Sequence, residues 1–405
     1  MSKRLADMMD VCVVGAGPVG GALACRLAKA GLTVAVVDRA PLSPMEHPSF
    51  DGRAYAIAAG SRGLLEAAGI WDALPLPTGP IEQIRVSDGK PGRPASRLFL
   101  HFDATEVGDH PLGWMVEARS MRVALNRCLN AAPNLELHAP ALATVTRTAA
   151  GASIALDNGT QIQARLVVAA EGRDSPLRRQ AGLTAQRWAY PQMGIVCAIA
   201  HEKPHNNTAL EHFLPAGPFA QLPMADGEGG EHLSAVVWSD RKAAAPRLMA
   251  LANEAFGAEI TLRLGNHLGA IRPVGQRWAY PLSAMYVHRC TAQRLAVVGD
   301  AAHGIHPIAG QGLNLGLRDA IALSGLIIEA HARGQDVGDA VLLAAYQRSR
   351  RADNLSMILA TDGLERLFST DNPIVRAARD FGIAAVHRMP GLKRAFMRQA
   401  MGLNG

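Results

Sequence analysis

Nowhere in this sequence do roughly 18 apolar residues run uninterrupted, the length a helix needs to cross a bilayer. The N-terminus, MSKRLADMMDVCVVGAG, carries two basic residues but no apolar stretch before its glycine turn, so neither a membrane span nor a cleaved signal is expected. Cysteine is scarce: Cys12, Cys25, Cys128, Cys197 and Cys290 are odd in number and widely spaced, with no CxxC pair. That excludes a disulfide framework and gives no sign of zinc or of a redox dithiol. The thiols read as reduced, mostly buried side chains of a cytoplasmic protein. Aromatic residues are only 5% of the chain, and although the net charge is +6, Lys and Arg are scattered rather than massed in runs. No recognisable nucleic-acid motif accompanies the charge, so no nucleic acid is an expected partner.

What is present points to an α/β protein. At 405 residues the chain exceeds one ordinary core, so two domains, or one large domain with a grafted lobe, are expected. Hydrophobic residues make up 49%, with many Ala, Gly, Leu and Val, a composition that suits strands alternating with helices. Residues 10–15, DVCVVG, have buried-strand character and lead straight into Gly15-Ala16-Gly17-Pro18-Val19-Gly20. This is GxGxxG in the context that gives it meaning. Gly15 permits the tight turn, Gly17 lets a pyrophosphate approach the backbone, and Gly20 lets the helix pack close to the strand. A helix over about 18–30 follows, with Pro18 in its first turn and Gly31 as its stop. The next strand, LTVAVVD, ends at Asp38, where a carboxylate accepts hydrogen bonds from an adenosine ribose and repels a 2′-phosphate. A dinucleotide is expected here, with NADP disfavoured and FAD against NAD undecided.

Further along, Arg53 lies in a loop before a helix over about 59–68, where an ordinary surface arginine and a ligand-binding one look alike. Residues 75–95 are rich in Pro and Gly and mark a boundary or excursion. WMVEARSMRVALNRCLNAA reads as a strand running into an amphipathic helix. Alternating strands follow, with a hairpin signal at Asp157-Asn158-Gly159. The buried strand RLVVAAEG then ends in Glu171-Gly172-Arg173-Asp174-Ser175-Pro176, where Ser175 or Asp174 caps a short helix that Gly182 closes. From 183 to 286 the pattern is strand-like, with one helix expected near 243–257. RWAYP occurs at both 187 and 277 with unmatched flanks, which favours chance or similar strand-edge roles over duplication. Beyond 311 the pattern is helical.

The stretch VVGDAAHGIHPIAGQGLNLG, residues 297–316, offers three readings. A metal site is disfavoured because Gly304 separates His303 from His306, Pro307 follows, and no third ligand stands nearby at metal spacing. A phosphate loop is disfavoured because no lysine follows the glycines. There remains a strand that delivers Asp300 at its carboxyl end and a helix whose N-terminus is Gly310-Gln311-Gly312. A partner with hydroxyls for Asp300 and a carbonyl oxygen or developing anion for the helix amides fits, and a flavin has both.

The order GAGPVGG, AAEGRDSPLR and RLAVVGDAAHGIHPIAGQGLNLGLRDA resembles the class A flavin-dependent monooxygenases. More narrowly, with FDGRAYAIA, WMVEAR, EHFLPAGPFAQLPM and the terminal GLKRAFMRQAMG, it resembles the ubiquinone-biosynthesis hydroxylases over essentially the whole chain. The resemblance implies a discontinuous Rossmann-type FAD-binding domain (1–80, 106–182 and 287–370), an inserted mixed β-sheet substrate domain (81–105 and 183–286) and a C-terminal helical segment (371–405). It implies FAD held by Gly15, Gly17 and Gly20 at the pyrophosphate, Asp38 at the adenosine ribose and Asp300 at the ribityl chain. Gly310, Gln311 and Gly312 would border the flavin pyrimidine, with Asn314 also in the cofactor set. Pro307 would stand near the oxygen-reacting face, and Arg53 and Arg119 along the FAD.

The implied activity is hydroxylation of a polyprenylated phenol with O₂ through a flavin C4a-hydroperoxide, with electrons from NAD(P)H or a protein donor. No dedicated catalytic acid or base is implied. The implied setting is the cytoplasm, with peripheral contact at the inner face of the membrane through the basic, Met-rich C-terminus, and other ubiquinone-biosynthesis proteins as potential partners. One departure stands out: the family's Asp-Gly turn is Glu171-Gly172 here, one methylene longer. The rival readings are a hydroxylase of a small soluble aromatic acid and a non-catalytic FAD-binding scaffold. A flavin halogenase is disfavoured because WxWxIP is absent.

Overall fold

The structure, a computed structural model, describes residues 8–43, 46, 49–93, 99–368 and 389–403. Its first sheet is built around parallel strands in the spatial order Leu295–Val297, Gln161–Ala169, Met9–Val14, Val34–Val37 and Leu135–His138. The chain runs from Met9–Val14 through the helix Pro18–Lys29 into Val34–Val37, a β-α-β crossover. Val11, Cys12 and Val13 are fully buried, because a parallel strand in the middle of such a sheet is covered on both faces. The antiparallel pair Ala143–Arg147 and Ala152–Leu156 extends from the first half of Gln161–Ala169. The turn that joins Ala152–Leu156 to Gln161–Ala169 holds Gly159 at φ 89°.

A second, eight-stranded mixed sheet has the order His303–Gly304, Ile271–Val287, Ala185–His201, His232–Arg241, Gly217–Pro223, Thr208–Leu214, Gln83–Asp88, Phe99–Asp103. One face packs on the helix Asn253–Leu264 through Ile195, Phe219, Trp238, Phe256 and Ile260. On the other face Ala198, Ala209 and Ala235 meet Met224 and Met115, the latter from the strand Gly113–Glu117. A three-stranded sheet, Ala54–Ala58, Gly113–Glu117 and Gly79–Ile81, lies beside this junction.

The single helix expected near 243–257 is instead two, Ala245–Met249 and Asn253–Leu264. Ala252 adopts an extended conformation at the second N-cap, with φ −60° and ψ 157°, so the chain turns between them and both pack on the sheet, the first through Ala245 and Leu248 and the second through Phe256 and Ile260. The two RWAYP copies fall on the paired 17-residue strands Ala185–His201 and Ile271–Val287. Their tryptophans do different work: Trp188 donates to the Asp362 carboxylate, Trp278 to the Asp51 carbonyl.

Of the expected C-terminal segment, 371–388 and 404–405 lie outside the described residues. The helix Pro390–Met401 packs inward: Met397 and Met401 are buried against Met115 and Met224. Its C-terminal carbonyls at Gln399 and Ala400 accept from the Arg318 guanidinium, and Lys393 pairs with Glu106 at 2.5 Å. These two methionines therefore belong to the core and are not available to a lipid surface. Among the described residues no helix is long and apolar enough to cross a membrane.

Candidate active site

Four adjacent parallel strands end on one side of the first sheet, and each delivers a residue singled out above: Gly15 after Val14, Asp38 after Val37, Glu171 after Ala169, Asp300 after Val297. Carboxyl ends of parallel strands are where ligands of such sheets bind. At the glycine turn, three positions are glycine for different reasons. Gly15 has φ 110°, and a Cβ there would stand 2.3 Å from the Ala170 carbonyl oxygen. A Cβ on Gly20 would stand 2.1 Å from the Gly15 oxygen, so the fold itself demands both. Gly17 has an ordinary φ of −68°, and a Cβ there would meet no heavy atom within 4 Å among the described residues. The fold itself places no demand for glycine at 17 and leaves the backbone there open.

That position is also the N-cap of Pro18–Lys29, a helix with no side-chain cap and no acid in its first turn. Its free amides and positive end suit an anion such as a pyrophosphate. Asp38 braces the turn, with Oδ2 accepting from the Ala16 amide at 2.7 Å and Oδ1 from the Ala40 amide at 2.9 Å. The guanidinium of Arg122, which sequence reasoning missed, donates to the Ala16 carbonyl at 2.9 Å.

The second half of the site is the turn after Val297. Asp300 keeps a half-exposed carboxylate, paired with Arg173 Nε at 3.4 Å. Arg173 also donates to Ser283 Oγ at 2.9 Å, which ties the Asp300 turn to the second sheet. Beyond it Gly310, at φ 62°, is the N-cap of Gln311–Ala332, again with no side-chain cap and no first-turn acid. The helices that carry the two uncapped ends pack on each other, close enough that a Cβ on Gly316 would stand 2.8 Å from the Val19 side chain. Pro307, Gly310, Gln311 and Gly312 are all half-exposed.

Asn314 is buried, and its amide accepts from Ala58 N–H at 2.8 Å while donating to the carbonyls of Ala56 at 2.8 Å and Gly310 at 3.3 Å. Its hydrogen bonds here hold the Gly310 turn against the strand Ala54–Ala58. Arg53, just before that strand, is clamped by Asp51 at 2.5 Å and lies over the Trp278 ring at 4.6 Å. Arg119 pairs with Glu117 at 2.6 Å at the start of the helix Ala118–Ala131. Glu171 turns back on its own chain: it accepts from the Ser175 hydroxyl and from the Leu177 amide at 3.3 Å. Burial holds its carboxyl above the usual range. Ser175, rather than Asp174, caps the helix Pro176–Gln180 by accepting the Arg178 amide at 3.1 Å.

The two histidines do not share a ligand. His303 Nε2 contacts Asp319 Oδ2 at 2.6 Å, whereas His306 stands edge-on to the Tyr190 ring, 5.0 Å between centroids, where burial pushes its imidazole down to about 4. Among the described residues no group of three metal-binding side chains forms. Asp319 is a second residue that sequence reasoning missed. Fully buried, it accepts from the Gly299 amide at 2.9 Å and pairs with Arg350 at 2.8 Å, so it anchors the turn that presents Asp300. Its signal was only its place in the helical phrase GLRDA.

Two bare helix ends, an open glycine cradle and a carboxylate at each of the flanking strand ends define an FAD-binding α/β protein. A family model described as FAD binding domain matches residues 8–358. A ubiquinone hydroxylase, UbiL of Rhodospirillum rubrum, is 46% identical over 394 residues, covering 97% of this chain and 89% of the relative. The 3-demethoxyubiquinol 3-hydroxylase of Escherichia coli is 34% identical, covering 97% and 98%. The crystal structure of p-nitrophenol 4-monooxygenase PnpA from Pseudomonas putida shares the fold, with a TM-score of 0.78 at 19% identity over 98% of each chain. The chain belongs to the FAD-binding-domain family and, within it, to the flavin-dependent ubiquinone hydroxylases. It is an FAD-dependent monooxygenase.

Proposed function

We propose that this chain hydroxylates the ring of a polyprenylated phenol in ubiquinone biosynthesis, using O₂ and electrons from NAD(P)H or a protein donor. The names of the two relatives support the pathway. The observation that carries the substrate class is one row of cross-strand partners on the second sheet, Trp278, Val196, Val237, Ala220, Glu211, Val86 and Leu100. Trp278, Val196, Val237, Val86 and Leu100 are half-exposed although they lie across a sheet face. That is the mark of apolar walls around an open space. Phe213, two residues along from Glu211, packs with Ile308, so the row faces the turn at 307–312. The row carries no cation, which disfavours a small carboxylated substrate and favours an uncharged ring with an apolar tail.

FAD would be held by Gly15, Gly17 and Gly20, by Asp38 and Asp300, and along its length by Arg53 and Arg119. Bound FAD would supply the electrons that activate O₂, one atom of which is added to a ring carbon while the other leaves as water. The chain's own part is placement and electrostatics. The amides at the helix start, Gln311 and Gly312, stabilise negative charge beside them. Gly310, whose own amide donates to the Pro307 carbonyl at 3.1 Å, shapes the turn there, Pro307 borders the reacting face, and the apolar row excludes water. Asn314 acts here by holding the Gly310 turn. A tail that resides in lipid extends this reading to peripheral association with the membrane and to contact with other proteins of the pathway.

Expression in bacterial strains that each lack one ubiquinone ring hydroxylation is expected to restore quinone in one of them and so identify the carbon modified; quinone restored in none refutes the reading. Asp300→Ala is expected to weaken FAD retention by about tenfold through lost charge-assisted hydrogen bonds, read as flavin absorbance after gel filtration. Unchanged flavin content would show that Asp300 does not hold the cofactor.

A further inference from the structure

Glu211 is the single ionisable residue in the row that faces the Pro307–Gly312 turn. It is 7% exposed, and among the described residues it has neither a hydrogen-bond donor nor an ion-pair partner. Its unpaired oxygens are not sealed, so the carboxyl shares in that exposure, on the face that carries Val86 and Leu100. Its neighbours across the strands are Ala220 and Val86, and along its own face Ala209 and Phe213. Arg85 and His212 alternate to the opposite face, and Asp88, opposite Phe213, accepts the Gly89 amide at 3.0 Å. The turn at 307–312 presents no ionisable side chain toward it.

A buried carboxyl without a partner destabilises a fold, and a leucine at 211 would suit this face better. We propose that Glu211 is the acid–base group of the substrate pocket, whose carboxyl receives the hydrogen bond and then the proton of the phenolic hydroxyl. This rests on the phenol reading above. As ring electrons form the new C–O bond to one oxygen of the O₂ that bound, reduced FAD would activate, the O–O bond breaks and the second oxygen leaves with that electron pair, ending as water with the proton that the attacked carbon gives up. In the same step the phenolic O–H bond breaks and its proton passes to the carboxylate. The attacked carbon then releases its hydrogen as a proton, the ring regains aromaticity, and the Glu211 proton returns to the phenolic oxygen. The carboxylate ends as it began. Burial alone pushes the Glu211 carboxyl up to about 8, well matched to drawing a proton from a phenol near neutrality.

The test compares the native chain with Glu211→Gln, both loaded with FAD. The flavin is reduced with dithionite and mixed with air-saturated buffer and 2-geranylphenol, so no natural donor is needed. Hydroxylated product is followed from about pH 6 to about pH 9, and the Tm of each protein is measured. The native rate is expected to rise through pH about 8. Glu211→Gln is expected to be about 100-fold slower with that rise abolished, while its Tm equals or exceeds the native value. Equal rates with the same pH profile, a variant that melts well below the native chain, or no product from the native chain each overturn the proposal. The quinone-restoration experiment is independent of residue 211: native expression that restores quinone keeps the phenol reading standing even where Glu211 fails.

Discussion

Asp319→Ala is expected to cost about 3–5 kcal/mol of stability, the range for removing one partner of a buried ion pair. The carboxylate is fully buried and serves three elements at once: the Gly299 amide at 2.9 Å, His303 at 2.6 Å and Arg350 at 2.8 Å. Arg350 would retain Asp353 at 2.7 Å, but the Gly299 N–H and the His303 ring would lose their acceptor inside the core. Asp319→Asn is expected to fare little better, because its amide nitrogen would set a donor against donors. Burial by itself would raise the Asp319 pKa, yet His303 and Arg350 outweigh it and hold the carboxyl below its ordinary value. With a depressed folded pKa, its contribution is fully present above the ordinary value of 3.8 and is lost only as pH falls through the lower folded one. Thermal melts of the FAD-free chain at neutral pH measure the loss. A variant that melts within a degree of the native chain would show that the Gly299–Asp300 turn has some other anchor.

The second large effect separates cofactor binding from folding at a single glycine motif. Gly17→Val is expected to leave the FAD-free fold nearly intact, since φ is −68° and the new side chain begins in open space. The same change is expected to weaken FAD binding by at least about 100-fold, or about 3 kcal/mol, by occupying the place where the pyrophosphate meets the backbone. Gly20→Ala should behave in the opposite order, because its Cβ would lie 2.1 Å from the Gly15 oxygen and the helix must move before any ligand is involved. Melting curves and FAD titrations on the two variants read both outcomes. Native FAD affinity in Gly17→Val would mean that the cradle at 17 is not where the cofactor sits.

These contrasts show how much of the site was legible before the fold was known. Gly15, Gly17, Gly20 and Asp38 are close in sequence within one β-α-β unit, so local backbone rules suffice to name them. Asp300 and the Gly310–Gly312 helix start were legible for the same reason: a buried strand, a turn and a helix follow one another within about twenty residues. Arg53 and Arg119 were named from resemblance, and the structure shows each held by a neighbouring carboxylate two residues away. The expected helix at 243–257 is two because Ala252 is extended, which lets Ala245 and Leu248 on one side and Phe256 and Ile260 on the other each reach the second sheet, a demand that the local pattern does not record.

The sequence by itself determined the dinucleotide-binding unit, the flavin family and the residues at the strand ends, because each is written in short spacings that local conformation enforces. Only the tertiary structure decided the rest. Asp319 meets Arg350 across 31 positions and His303 across 16. Glu211 acquires its meaning from strands that begin at residues as distant as Gln83 and Ile271. A carboxylate's role is set by what surrounds it, and those surroundings come from parts of the chain that no local pattern places together.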